Sequence, residues 1–129
     1  MFQNIVVGQR YSRPDLAKLW GYTGYQALAR GVVTPSGSRN IILFVTADKQ
    51  ESAEPYNDRL VGSVLHWEGP NDHFAEARML RAGDSGDLIH VFFRPRHHQD
   101  FEYKGRAKVL NCQKHVQMPS KFELELVGS

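Results

Sequence analysis

Two hydrophobic periods divide the chain. Near the start Leu16, Leu19 and Trp20 recur at helical spacing, and Asp15 stands three residues after Ser12. Ser-x-x-Asp is a capping-box pattern, in which each side chain meets the other's backbone N–H, and Pro14 is tolerated in a first helical turn. Gly21 supplies the stop. The pattern predicts a short helix after Ser12 and a second helical turn over Tyr25-Gln26-Ala27-Leu28-Ala29-Arg30, closed by Gly31.

Further on the period shortens to two. Asn40 to Thr46 is β-branched and aromatic with little polar interruption, as a strand buried on both faces requires. Leu60 to Trp67 and Leu88 to Arg94 read as further strands. Phe101, Tyr103, Ala107 and Val109 alternate with charged residues, as do Phe122, Leu124 and Leu126 with Glu123 and Glu125. Gly105 inside its strand predicts a bulge or tight bend. The segment from His73 to Arg81 is read as a short helix. Five or six strands with one or two short helices imply an α+β fold. Its centre is a curved, mainly antiparallel β-sheet or a partly closed barrel.

At 129 residues, with 41% hydrophobic residues, the chain is expected to form one domain, 1–129, with a core that needs no staples. The single cysteine, Cys112, excludes an internal disulfide and points to a reducing compartment. No apolar run approaches a membrane span, and the N-terminal residues lack a signal-peptide pattern, so a cytoplasmic protein is expected. The formal charge is +2, from 16 Lys and Arg against 14 Asp and Glu. That excess is too small to announce nucleic acid by itself, so the placement of the basic residues matters more.

Six histidines invite a search for catalysis or metal. His97 and His98, followed by Asp100, diverge as neighbours on an extended chain, and Cys112 with His115 lacks a second ligand pair. There is no phosphate loop, nucleophile elbow or nuclease-like acidic cluster. Neither catalysis nor a cofactor is expected.

The basic residues say more. Arg10 and Arg13 flank the helix start, Arg30 and Arg39 bracket the next turn, and Arg94, Arg96, His97 and His98 form a basic loop. Tyr11, Tyr22, Tyr25, Tyr56, Trp67 and Tyr103 interleave with them. Such mixtures suit phosphates and unstacked bases, and equally a core of rings with a charged rim. Tyr56-Asn57-Asp58 places a ring and a carboxylate on one face of an extended chain. There the ring can stack on a base while the carboxylate accepts from an exocyclic amino group. His66-Trp67 ends the following strand, where a tryptophan serves either as core or as a stacking platform.

Several short motifs then occur in order: Tyr11-Ser12-Arg13-Pro14-Asp15-Leu16-Ala17, Phe44-Val45-Thr46-Ala47-Asp48-Lys49, Tyr56-Asn57-Asp58 and His66-Trp67. His90-Val91-Phe92-Phe93-Arg94 and Phe101-Glu102-Tyr103-Lys104-Gly105-Arg106 follow. Together, over roughly residues 9 to 110, they resemble a bacterial family of SRA-like domains of the wider PUA-like group. That family is found at the C-terminus of modification-dependent restriction enzymes or fused to HNH nucleases. The resemblance implies a curved barrel that reads methylated or hydroxymethylated cytosine in double-stranded DNA, flipping the base into a pocket.

Carried onto this chain, it implies Tyr56 and Trp67 as stacking rings, Asp58 as acceptor for the cytosine amino group, and Phe44 and His66 at the pocket. Arg10, Arg13, Arg30, Arg94, Arg96 and His97 would position the DNA backbone. A nuclease or helicase domain, in a longer chain or a partner, is the implied associate. The chain departs from the family after His66-Trp67, continuing as Glu68-Gly69-Pro70-Asn71 at the pocket rim. Two other readings stay open on the residues: a PUA-like module for RNA or modified RNA bases, and a protein-interaction domain.

Overall fold

The computed structural model describes residues 4–48, 58–70, 72–114 and 118–128. The expected capping box is present. Ser12 Oγ accepts the Asp15 N–H at 3.1 Å, and Asp15 Oδ2 accepts the Ser12 N–H at 3.1 Å, opening α1 (Arg13–Leu19). The stop comes at Gly21, whose φ of +79° suits a residue without Cβ. A 3₁₀ turn follows at Gln26–Leu28.

Among the described residues there are eight strands, more than the five or six expected: β1 (Arg10–Tyr11), β2 (Val32–Val33), β3 (Asn40–Asp48), β4 (Arg59–Val61), β5 (Val64–Glu68), β6 (Leu88–Arg96), β7 (Phe101–Gln113) and β8 (Lys121–Gly128). Two of the extra strands are two-residue edges with no periodicity to read. The third arises because residues 60–67 are not one strand but the β4–β5 hairpin. Val61 pairs with Val64 across Gly62-Ser63, with Gly62 at φ +61°. Between β5 and β6 lie two short helices, α2 (Glu76–Leu80) and α3 (Ala82–Ser85), where one was expected.

The strands form one sheet in the order β2-β3-β6-β7-β8-β5-β4, with β1 added to β7. The pairings are antiparallel apart from β3–β6, which is parallel from Asn40↔Leu88 to Asp48↔Arg96. A parallel pair needs a crossover, and β4, β5, α2 and α3 occupy it.

β3 is buried on both faces, as its unbroken apolar run predicts. Ile41, Leu43 and Val45 enter one cluster with Leu65, Trp67, Val91, Phe122 and Leu124; Ile42 and Phe44 enter another with Leu16, Trp20, Phe92, Phe101 and Tyr103. The first cluster joins Val32, on the β2 edge, to Leu65 on β5, so the sheet curls around it. It is called inner here, and the one roofed by α1 outer. Burial of each large side chain contributes about 1.5–3 kcal/mol.

Gly105 is the bend. Residues before it in β7 pair with β1, and those from Arg106 onward pair with β8. Its φ is +93°, and a Cβ built there would lie 3.0 Å from the Gly128 backbone, so the bulge requires glycine twice over. No helix among the described residues is long and apolar enough to cross a membrane.

Candidate nucleic-acid interface

Trp67 and its neighbours form the inner part of the site. Along β5 burial alternates, so Trp67 turns inward onto Phe122, with ring centroids 5.4 Å apart at 48°, while His66 turns outward. Asp58, just before β4, is 3% exposed, and its Oδ1 accepts the Glu68 N–H at 2.9 Å. Tyr56, the other expected ring, lies outside the described residues, as does His115.

A second buried carboxylate stands beside Trp67, and no hydrophobic period marks it. Glu76 is 6% exposed; its Oε1 accepts from Ser120 Oγ at 2.9 Å and its Oε2 bonds His73 Nδ1. A Cβ built on Gly69 would sit 3.7 Å from the Trp67 ring and 3.8 Å from Glu76 Oε2, so ring and carboxylate flank one glycine. His73 and Ala75 reach this arrangement at φ +57° and +66°, a conformation costing roughly 1–2 kcal/mol per residue. The left-handed residues turn the chain so that Glu76 points into the core. Glu76 opens α2, and hydrophobic spacing does not mark an acidic residue there as buried.

At the outer surface of β5 the register lines up Arg59, His66, Glu123 and Asn111 across four strands, with Glu68, Lys121 and Gln113 in the next row on that face. These residues, with Trp67 and Phe122, line a cavity of about 240 Å³. That is below the roughly 300–1,000 Å³ of drug-sized pockets and of the scale of a single ring system.

Phe44 does not belong with Trp67. Adjacent strand positions alternate faces, and Phe44 falls in the outer cluster, stacked on Phe92 at 5.4 Å. The expected pocket of Phe44 and Trp67 is therefore divided by the sheet itself. Of the other rings, Tyr11 and Tyr103 are core, 7% and 3% exposed.

The basic residues separate as well. Arg30 is on the surface, bonded to Asp72 at 2.9 Å and lying over Phe74 at 4.3 Å. Arg10, Arg96 and His97 are exposed. Arg13 and Arg94 come together: both guanidinium groups lie against Phe101, at 5.0 and 4.3 Å, and Arg13 also covers Phe44 at 4.6 Å. Burial lowers the pKa of both, and the charge of Arg94 lowers that of Arg13 further.

Beneath them His90 is buried with both ring nitrogens engaged, to Tyr103 Oη and Asn40 Oδ1, each at 2.8 Å. Asn40 Oδ1 only accepts, so Nε2 carries the proton and Nδ1 accepts from the tyrosine hydroxyl. Burial, reinforced by Arg106, pushes the pKa of His90 down to about 4. Among the described residues no three His, Cys, Asp or Glu side chains are grouped to hold a metal.

No protein-family model and no curated protein matches the sequence. Solved structures do. The SUVH5 SRA domain in complex with hemimethylated CG DNA overlays with a TM-score of 0.66 at 15% identity, over 100% of this chain and 93% of that one. This chain has the SRA fold. The SUVH5 SRA domain bound to fully hydroxymethylated CG DNA matches the SRA fold here at 0.62 and 16% identity, over 100% and 93%. The DNA recognition domain of LpnPI, a cytosine modification-dependent restriction endonuclease, matches at 0.54 and 11%, over 92% of this chain and 71% of that one. These neighbours are recognition domains rather than catalytic ones. The mixed eight-stranded sheet with few helices agrees with the α+β reading, its one parallel pair aside.

Proposed function

We propose that the chain is a recognition module without catalysis of its own. It binds double-stranded DNA and reads 5-methyl- or 5-hydroxymethylcytosine for a modification-dependent restriction system whose nuclease or helicase domain lies in a longer chain or a partner. The observation that carries this reading is the SRA fold over the full chain, shared with a domain solved on methylated DNA. The chemistry at the end of β5 supports it. The target base is flipped toward Trp67, with Tyr56 as the second ring, and its exocyclic amino group donates to Asp58. Unstacking costs a few kcal/mol, offset by the rings and the hydrogen bonds. His66 contributes from the outer rim. The basic residues meet the backbone and set affinity without reading sequence.

The test is affinity for methylated, hydroxymethylated and unmodified duplexes at one salt concentration. Asp58→Asn keeps an oxygen for the Glu68 N–H but presents a donor to the base amino group. It is expected to lower the modified-to-unmodified ratio about tenfold, in line with roughly 1–3 kcal/mol per well-made base contact. Equal affinity of the wild type for the three duplexes would sink the reading.

A further inference from the structure

The arginine pair on Phe101 is built differently from the other basic residues. Arg13 opens α1, and Arg94 sits near the end of β6, held from elements far apart in sequence. Each is fixed through Nε: Arg13 donates to the Leu28 carbonyl at 2.6 Å, and Arg94 to Thr46 Oγ1 at 2.8 Å. Arg94 Nη1 also donates to the Gln99 carbonyl at 3.2 Å, and its Nη2 lies 3.5 Å from His97 Nδ1, which leaves one N–H on each Nη for a ligand. The Nη groups of Arg13 make no hydrogen bond among the described residues. The ion pairs of those residues go to Arg30, His73, Arg78, Lys104 and Lys108, and leave both arginines out. Asp100 lines the same cleft without pairing to either.

Two like charges are thus held against one ring, partly stripped of water, with no ion-pair partner among the described residues. The arrangement costs stability through desolvation and repulsion, and an anion relieves both terms. Beside them an open cleft of about 420 Å³ is bordered by Ser12, Tyr25 and His98. Planar guanidinium groups with Nε tied back present their remaining N–H groups as a preorganised fork, which a phosphate accepts.

We propose that Arg13 and Arg94 form a clamp on one phosphate of the DNA backbone, on the outer side of the sheet from Trp67. The assignment rests on the DNA-binding reading. It makes these two arginines, rather than Arg30 with its Asp72 partner, the fixed anchor.

The test is binding of an unmodified duplex across a potassium chloride series. The variants are Arg13→Gln, Arg94→Gln and the double variant, which keep the stems over the rings, with Lys108→Gln, a surface cation paired to Glu125, as control. Each neutralised phosphate contributes about −0.9 to the slope of log K against log salt. The double variant is expected to lose about one such contribution and Lys108→Gln none. An unchanged slope in the double variant overturns the clamp, and a loss of about two contributions shows that the arginines serve separate phosphates.

A second measurement does not need DNA. At equal ionic strength, inorganic phosphate is expected to raise the thermal midpoint of the wild type above its value in chloride, and not that of the double variant. Equal stabilisation of both places the ion elsewhere and overturns the clamp; stabilisation of the wild type alone with no change of DNA slope assigns the cleft to free phosphate, overturning the backbone source. The modified-to-unmodified ratio is read separately, so base reading and clamp fail independently.

Discussion

The two sides of the sheet bury aromatic rings to a similar depth and put opposite charges beside them. Trp67, on the inner side, has two buried carboxylates near it, Asp58 through the Glu68 amide and Glu76 across Gly69. Phe44 and Phe101, on the outer side, carry the guanidinium groups of Arg13 and Arg94. Rings alone do not choose the ligand, since a flat base and a guanidinium group both stack on an aromatic face. The flanking charge chooses. Carboxylates complement the amino group of a base, and guanidinium groups complement a phosphate.

The largest expected effect tests whether the two sides are separate. Phe92 is at the centre of the outer rings, touching Tyr11, Trp20, Phe44 and Tyr103, and is 0% exposed. Phe122 is its inner counterpart against Trp67. Truncating either to alanine should cost about 3–5 kcal/mol in urea unfolding. Under conditions where both remain folded, Phe122→Ala should lower the preference for modified DNA and Phe92→Ala should leave it intact. The reverse pattern would mean that the sides have been assigned the wrong way round.

Much of the outer side was legible in the sequence, because its parts are local or periodic. Ser12-x-x-Asp15 specified the cap, the apolar run of β3 specified burial on both faces, and Gly105 marked the bend. The inner site was less legible. Asp58 stands just before β4, and Glu76 opens α2 after left-handed residues, so hydrophobic spacing announces neither as a buried carboxylate. Phe44 is legible as a buried ring, but its side is not, because strand alternation separates it from Trp67 only once the register is known. The hairpin at Gly62-Ser63 is hard to see in the chain, because β-branched Val61 and Val64 continue the strand pattern on both sides of the turn.

A smaller effect, on the outer side, comes with acid. His90 supports the outer rings as a neutral donor–acceptor, with its pKa lowered from 6.5 to about 4. The unfolded chain therefore binds the proton more readily, and stability falls as pH drops from about 6.5 toward 4. About 3 kcal/mol is at stake over that window. His90→Gln should flatten this part of the pH–stability profile. A profile equally steep in the variant would move the acid sensitivity to other groups.

The smallest effect belongs to Arg30, and it separates a surface arginine from an anchored one. Arg30 and Asp72 pair at 2.9 Å with side chains 50% and 61% exposed, so water screens the attraction and both chains keep most of their freedom. Exposed pairs of this kind are worth about 0–1 kcal/mol. Arg30→Ala should therefore shift the urea midpoint little, and that shift should shrink as salt is raised, although some packing on Phe74 is lost with it. A loss well above 1 kcal/mol that persists at high salt would show that Arg30 is held as firmly as Arg13. The distinction between a tied-back guanidinium and a solvated one would then fail as a guide to where this domain grips an anion.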